Sequence, residues 1–170
     1  EYENSDNTLI VPIEFPTIQA AIQSAETGNE IIVYSGEYSE NINLLGKTIT
    51  IKSLEGPEQT YILGDSTRSV IICNSGETNQ TIIEGFTVSG GYGIGVSFED
   101  FVSNAANPEI FEDMIVNQMM AGGISCINSS PTLKKLIVSN NYARNVAGGI
   151  GLVNSNSLLE NIIVKNNTII

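Results

Sequence analysis

The amino-acid sequence predicts an all-β chain wound as a parallel solenoid of about six coils, started by one short capping α-helix. Three observations lead there. Of 170 residues, 25 are Ile, 19 are Asn and 16 are Gly. Ile is β-branched and favours strands, whereas Asn and Gly tolerate the left-handed backbone of tight corners. Residues 122–141 lie without a gap over residues 148–167, an offset of 26, with Gly, Gly, Ile, Asn, Ser, Leu, Ile, Val, Asn and Asn recurring. A single segment has helical periodicity. A repeat of about this length, built from short strand runs and Gly/Asn corners, describes coils stacked at the inter-strand spacing of ~4.8 Å.

Taken in order, the first eight residues are polar and read as frayed. Residues 16–26 carry Ile18, Ile22 and Ala25 on one helical face, with Thr17 as cap and Gly28 as stop. Strand runs then follow at 30–34, 48–52, 70–73, 86–89, 93–96, 114–116, 123–127, 136–139, 149–153 and 162–165. Each has about the minimum length of a strand. Residues 83–90 also align with 133–140, an offset of 50, read as two coils. Stacked corners place Asn128 over Asn154, and Asn140 and Asn141 over Asn166 and Asn167, where side-chain amides can pair between coils. The whole chain, 1–170, reads as one domain. Residues 9–28 form its N-terminal strand and helix cap and residues 29–170 its coils. The last repeat stops partway, which predicts an open edge, truncation of a longer solenoid, or self-association through that coil.

Composition excludes several functions. The net charge is −12, which disfavours nucleic acid and anionic membrane as partners. No apolar run approaches the ~20 residues of a membrane span. The chain has no His, so His-based triads and His metal sites are ruled out. Cys73 and Cys126 are too few for a disulfide framework and read as buried thiols. Residues 1–46 carry eight acids and no base, whereas residues 114–170 carry one acid and four bases. The acidic end repels polyanionic glycans unless a cation bridges them.

Three N-terminal motifs carry a resemblance. They are Phe15-Pro16-Thr17-Ile18-Gln19-Ala20-Ala21-Ile22, Gly28-Asn29-Glu30-Ile31-Ile32-Val33 and Gly36-Glu37-Tyr38-Ser39-Glu40-Asn41-Ile42. They resemble the opening of the pectate-lyase-like, right-handed parallel β-helix superfamily, in which a short helix caps the first coil. The later Gly-Gly-Ile-x-Cys-x-Asn-Ser-Ser-Pro-Thr-Leu at 122–133 resembles repeats of bacterial secreted and cell-surface β-helix proteins. The resemblance implies a right-handed β-helix and an extracellular location. It does not settle function, because the superfamily holds lyases, hydrolases, esterases and adhesins. Its enzymes use clustered Asp, often with Arg or Lys. Here the four Asp (Asp6, Asp65, Asp100, Asp113) are dispersed, and the only two Arg are Arg68 and Arg144. No catalytic residue is assigned.

Two segments are candidate sites. Residues 97–113 interrupt the repeat, and insertions in solenoids cluster on one face, often the binding face. Glu99, Asp100, Glu109, Glu112 and Asp113 stand there without a Lys or Arg. They read either as a Ca²⁺ site, since that ion takes several oxygen ligands, or as a solvated acidic loop. Phe98 and Phe101 beside them are candidate carbohydrate contacts. Tyr142 and Arg144, in the turn between the two best repeats, can stack on and hydrogen-bond a sugar. The expected function is a secreted or cell-surface scaffold, non-catalytic, binding a polysaccharide or cell-surface glycan or serving adhesion. The alternative is the N-terminal part of a polysaccharide lyase or glycoside hydrolase. An ice-binding solenoid needs regular Thr-x-Thr ladders, and that pattern occurs only at Thr48–Thr50.

Overall fold

The computed structural model describes residues 7–95 and 120–170. The chain begins with β1 (Thr8–Val11) and α1 (Ile18–Ser24). The first coil is β2 (Glu30–Val33), β3 (Gly36–Ser39) and β4 (Ile42–Asn43), and the second is β5 (Thr50–Ser53), β6 (Thr60–Leu63) and β7 (Ile71–Cys73). The third holds β8 (Ile82–Glu84), β9 (Thr87–Ser89), β10 (Tyr92–Ile94) and β11 (Ile124–Ile127). The fourth holds β12 (Thr132–Lys134), β13 (Ile137–Ser139), β14 (Tyr142–Arg144) and β15 (Ile150–Val153). The last is β16 (Leu158–Glu160), β17 (Ile163–Lys165) and β18 (Thr168–Ile169).

The described strands stack into four sheets. Sheet I runs β1-β2-β5-β8-β12-β16, sheet II β3-β6-β9-β13-β17, sheet III β4-β7-β11-β15 and sheet IV β10-β14-β18. Every described pairing is parallel, for example Ile31 with Ile51 and Ile51 with Ile83. Sheet I has six levels, β1 of the N-terminal cap followed by one strand from each of five coils, against about six coils expected.

Side chains alternate in and out along each strand, so in-register stacking turns one inward residue per coil into a column. Sheet I contributes Ile31, Ile51, Ile83 and Leu133. Sheet II contributes Tyr38, Ile62, Val88 and Val138, and sheet III Ile42, Ile71 and Ile124. These residues belong to one buried core. Burying each Ile is worth about 1.5–3 kcal/mol relative to exposing it. In the final coil the same columns open: Leu159 is 41% and Val164 53% exposed.

Corners are made by left-handed residues. Gly90, Asn140 and Asn166 stack with φ of 76°, 55° and 55°, which Gly and Asn adopt at least cost. The Gly-Gly repeat has a different cause. A Cβ on Gly122 would lie 2.3 Å from the Tyr142 carbonyl and 2.4 Å from that of Gly148, so the coils approach too closely for a side chain.

Helix α1 is seven residues long, too short to hold itself together. Its Ile18, Ala21 and Ile22 are buried over the first coil, and Thr17 Oγ1 accepts from Ala20 N as expected. The helix ends at Ser24, ahead of Gly28. Ala25 turns to extended backbone (ψ 144°), and Gly28 (φ 90°) serves the turn into β2 instead.

The structure corrects three readings of the sequence. β8 and β12 are direct neighbours, so the offset of 50 is one coil and not two. Tyr92 pairs with Tyr142 at the same offset, and the next coil advances by 26, so this coil carries about 24 extra residues between β10 and β11. The insertion is therefore longer than the 97–113 expected from the sequence, because Ile94 belongs to sheet IV whereas Ile124 pairs with Ile71 in sheet III. Residues 142–144, expected as a turn, form strand β14. Left-handed Asn140 and Asn145 bracket three extended residues there. Strands β3, β4, β6, β8, β12, β14, β16 and β18 add to those expected, and the run at 114–116 lies outside the described residues.

Candidate functional site

Sheet IV carries the sequence-predicted pair. In β14, Tyr142 and Arg144 point outward and Ala143 is buried, as two-residue alternation requires. Parallel register then adds partners. Tyr92 lies beside Tyr142, and Thr168 follows on the other side. Ile94 lies beside Arg144. Adjacent rungs stand ~4.8 Å apart, so Tyr92 and Tyr142 form an aromatic step along the solenoid axis. Tyr142 is 47% and Ile94 52% exposed. The strip is thus apolar and aromatic with one guanidinium, and its phenol and guanidinium groups can hydrogen-bond a ligand while the rings stack on it. Tyr92 and Ile94 were missed in the sequence. The signal that finds them is the 50-residue offset, once it is read as a single coil.

Phe98, Phe101, Glu99, Asp100, Glu109, Glu112 and Asp113 lie outside the described residues. Among the described residues, no three of Cys, Asp and Glu gather where a metal ion could be held. Asp65 is the only described aspartate. Its carboxylate accepts from Thr67 N and Oγ1 at 3.0 and 2.6 Å, which holds it below the usual carboxylate range.

A concavity of about 300 Å³ lies where sheets I and II meet, lined by Pro57, Glu58, Lys135, Leu136, Ile137, Asn161 and Ile163. Lys135 occupies a left-handed corner (φ 48°) between Gly85 (85°) and Asn161 (55°). Its Nζ donates to Glu84 Oε1 at 2.8 Å. That hydrogen bond, more than charge alone, holds the Glu84 carboxyl below its ordinary range. Charges alternate up the neighbouring column of sheet I as Lys52, Glu84, Lys134 and Glu160, with Lys134 Nζ 3.3 Å from Glu160 Oε2. Such cross-strand pairs hold register.

The geometry defines a parallel β-helix protein with an aromatic strip on one outer face. No protein-family model matches the chain, and no curated protein matches it. Two solved structures are similar. One is a mutant pectin methylesterase in complex with hexasaccharide IV, at 13% identity and TM-score 0.53, with 96% of this chain and 50% of that one covered. The other is a pectin methylesterase in complex with hexasaccharide VII, at 15% identity and TM-score 0.49, with 84% and 48% covered. The chain spans about half the length of these structures. The first likeness shows the fold, and the chain is a right-handed parallel β-helix. Among the described residues, no helix is long and apolar enough to cross a membrane.

Proposed function

We propose that this chain is a non-catalytic carbohydrate-binding module of a secreted or cell-surface protein. In this reading a glycan lies along sheet IV, with sugar faces on Tyr92 and Tyr142 and polar groups on Arg144. The in-register, outward Tyr92–Tyr142 step carries the reading. A flat face built from stacked strands also suits an extended polymer, because its binding groups repeat along one axis. The mutant pectin methylesterase of like fold holds a hexasaccharide, which supports a sugar chain as the ligand of such a surface. Ca²⁺ enters this reading through the five carboxylates of 97–113, as a bridge to acidic glycans.

The test is binding to a panel of neutral and acidic polysaccharides, with and without Ca²⁺, while reducing ends and unsaturated uronates are followed in the same samples. Binding without product is expected. Tyr142→Ala should weaken it about 5–10-fold, the scale of one lost aromatic stacking contact. Undiminished binding by a folded Tyr92→Ala/Tyr142→Ala variant sinks the reading. Product formation favours the alternative, that the chain is the N-terminal part of a polysaccharide-degrading enzyme. One observation favours that alternative: the chain spans half of an enzyme of the same fold.

A further inference from the structure

Along an inward column of sheet III, Leu44, Cys73, Cys126 and Leu152 follow one another coil by coil. Two cysteines thus stand on adjacent rungs where the flanking coils carry leucine. Both are wholly buried and both are free thiols. They are direct register partners across β7 and β11, 53 residues apart in sequence. Between them in the chain runs the longest coil of the described solenoid, the one with about 24 extra residues.

We propose that Cys73 and Cys126 are a redox-sensitive staple that closes as a disulfide between neighbouring coils. In-register rungs bring the Cα atoms ~4.8 Å apart, inside the range a disulfide spans. The Cβ atoms must draw together slightly from strand spacing to ~3.5–4.5 Å, so the closed bond carries some strain that favours its reduction once the coils separate. This makes it reversible rather than a permanent crosslink. The oxidant is a low-molecular-weight disulfide. One protein thiolate attacks it, forming a mixed disulfide and releasing one small thiol. The second protein thiolate then displaces the other small thiol and forms the Cys73–Cys126 bond. Two protein S–H bonds are lost, one S–S bond forms, and the oxidant leaves as two thiols carrying the two protons.

Access is gated by folding. The Cys126 thiol, burial and the Glu77 carboxylate all keep Cys73 protonated in the closed core, and a protonated thiol does not attack. Exchange therefore happens while β11 is still undocked on β7.

The test refolds the whole chain from denaturant in glutathione buffers spanning reducing to oxidising poise. Samples are then quenched with an alkylating agent under denaturing conditions. At oxidising poise the expected product is a monomer 2 Da lighter that takes up no alkyl group. Its thermal midpoint should lie about 5–10 °C above that of the reduced protein, as for a loop of this size closed with some strain. Dithiothreitol added during a second refolding should return both thiols. Cys126→Ala should abolish the mass change and the midpoint shift. Should that variant fail to fold, the wild-type masses alone decide. Two alkyl groups at every poise, or a disulfide found only between molecules, would overturn the proposal.

Discussion

Asn141 ties three coils together at one corner. It is fully buried, and its Oδ1 accepts from Gly91 N at 2.9 Å. Its Nδ2 is shared among Val88 O, Ser139 O and Asn167 Oδ1, at 3.0–3.1 Å. Asn141→Ala leaves several buried groups without partners and should cost about 2–4 kcal/mol in urea unfolding. Asn167→Ala, in the more open final coil, should cost less. The Ser125 hydroxyl is the opposite case. It is buried, and among the described residues it stands without a hydrogen-bond partner. Ser125→Ala should therefore be neutral or stabilising by about 1 kcal/mol, since it removes an unsatisfied group and almost no volume. A measured loss above that scale would reveal a partner for the hydroxyl.

At the scale of elements, α1 is clamped from outside itself. Glu40 Oε1 and Oε2 accept from Ile18 N and Gln19 N, each at 2.9 Å. Lys47 Nζ donates to the carbonyls of Ile22, Gln23 and Ala25 at 2.7–2.8 Å. An acid thus sits at the positive end of the helix and a base at its negative end. The Gly-x-Tyr-x-Glu motif thereby gains a physical meaning: Tyr38 enters the core, donates from its hydroxyl to Tyr34 O, and aims Glu40 at the helix. Glu40→Gln and Lys47→Met should each cost about 1–2 kcal/mol. Limited proteolysis should then cut first between α1 and β2. The Lys135–Glu84 contact has a pH signature. A carboxylate whose folded pKa lies below its unfolded value, here 4.5, stabilises the fold above that value. The contribution is lost as pH falls through the folded pKa. The stability difference between wild type and Lys135→Met should therefore be full at neutral pH and should vanish under acid. A difference that persists in acid would mean that packing, not charge, ties Lys135 to the corner.

Across the whole molecule, each coil contacts only its neighbours, so stability is close to a sum of coil and interface terms. The first coil has α1 packed against its columns, whereas Leu158, Leu159, Ile163, Val164 and Ile169 of the last coil are 41–64% exposed. Hydrogen exchange should then be graded along the axis. Amides of β5, β8 and β12 should be protected longest, and those of β16–β18 should exchange fastest. Uniform protection would show that a cover is present over the final coil in solution.

The solenoid is legible in the order of the residues. Stacking repeats each inward position once per coil, so Ile columns, Asn corners and the 26-residue offset are written in composition and spacing. Thr17, the Asn128–Asn154 amide pair (3.1 Å) and the buried thiols were legible for the same reason. Which positions share a rung follows only from how the coils stack. Read by offset, 50 residues looked like two coils, because an insertion changes the count without changing the pairing. The Tyr92–Tyr142 step and the Cys73–Cys126 contact both depend on that correction. Strand β14 escaped notice because its Tyr-Ala-Arg lacks the β-branched pairs that marked equally short strands such as β7 and β13, and it is defined by the neighbours that bond it. Glu40 and Lys47 escaped because a helix end caught by another coil leaves no local pattern in the chain. Local chemistry writes itself into consecutive residues, whereas contacts between coils are set by how far the chain travels before it returns.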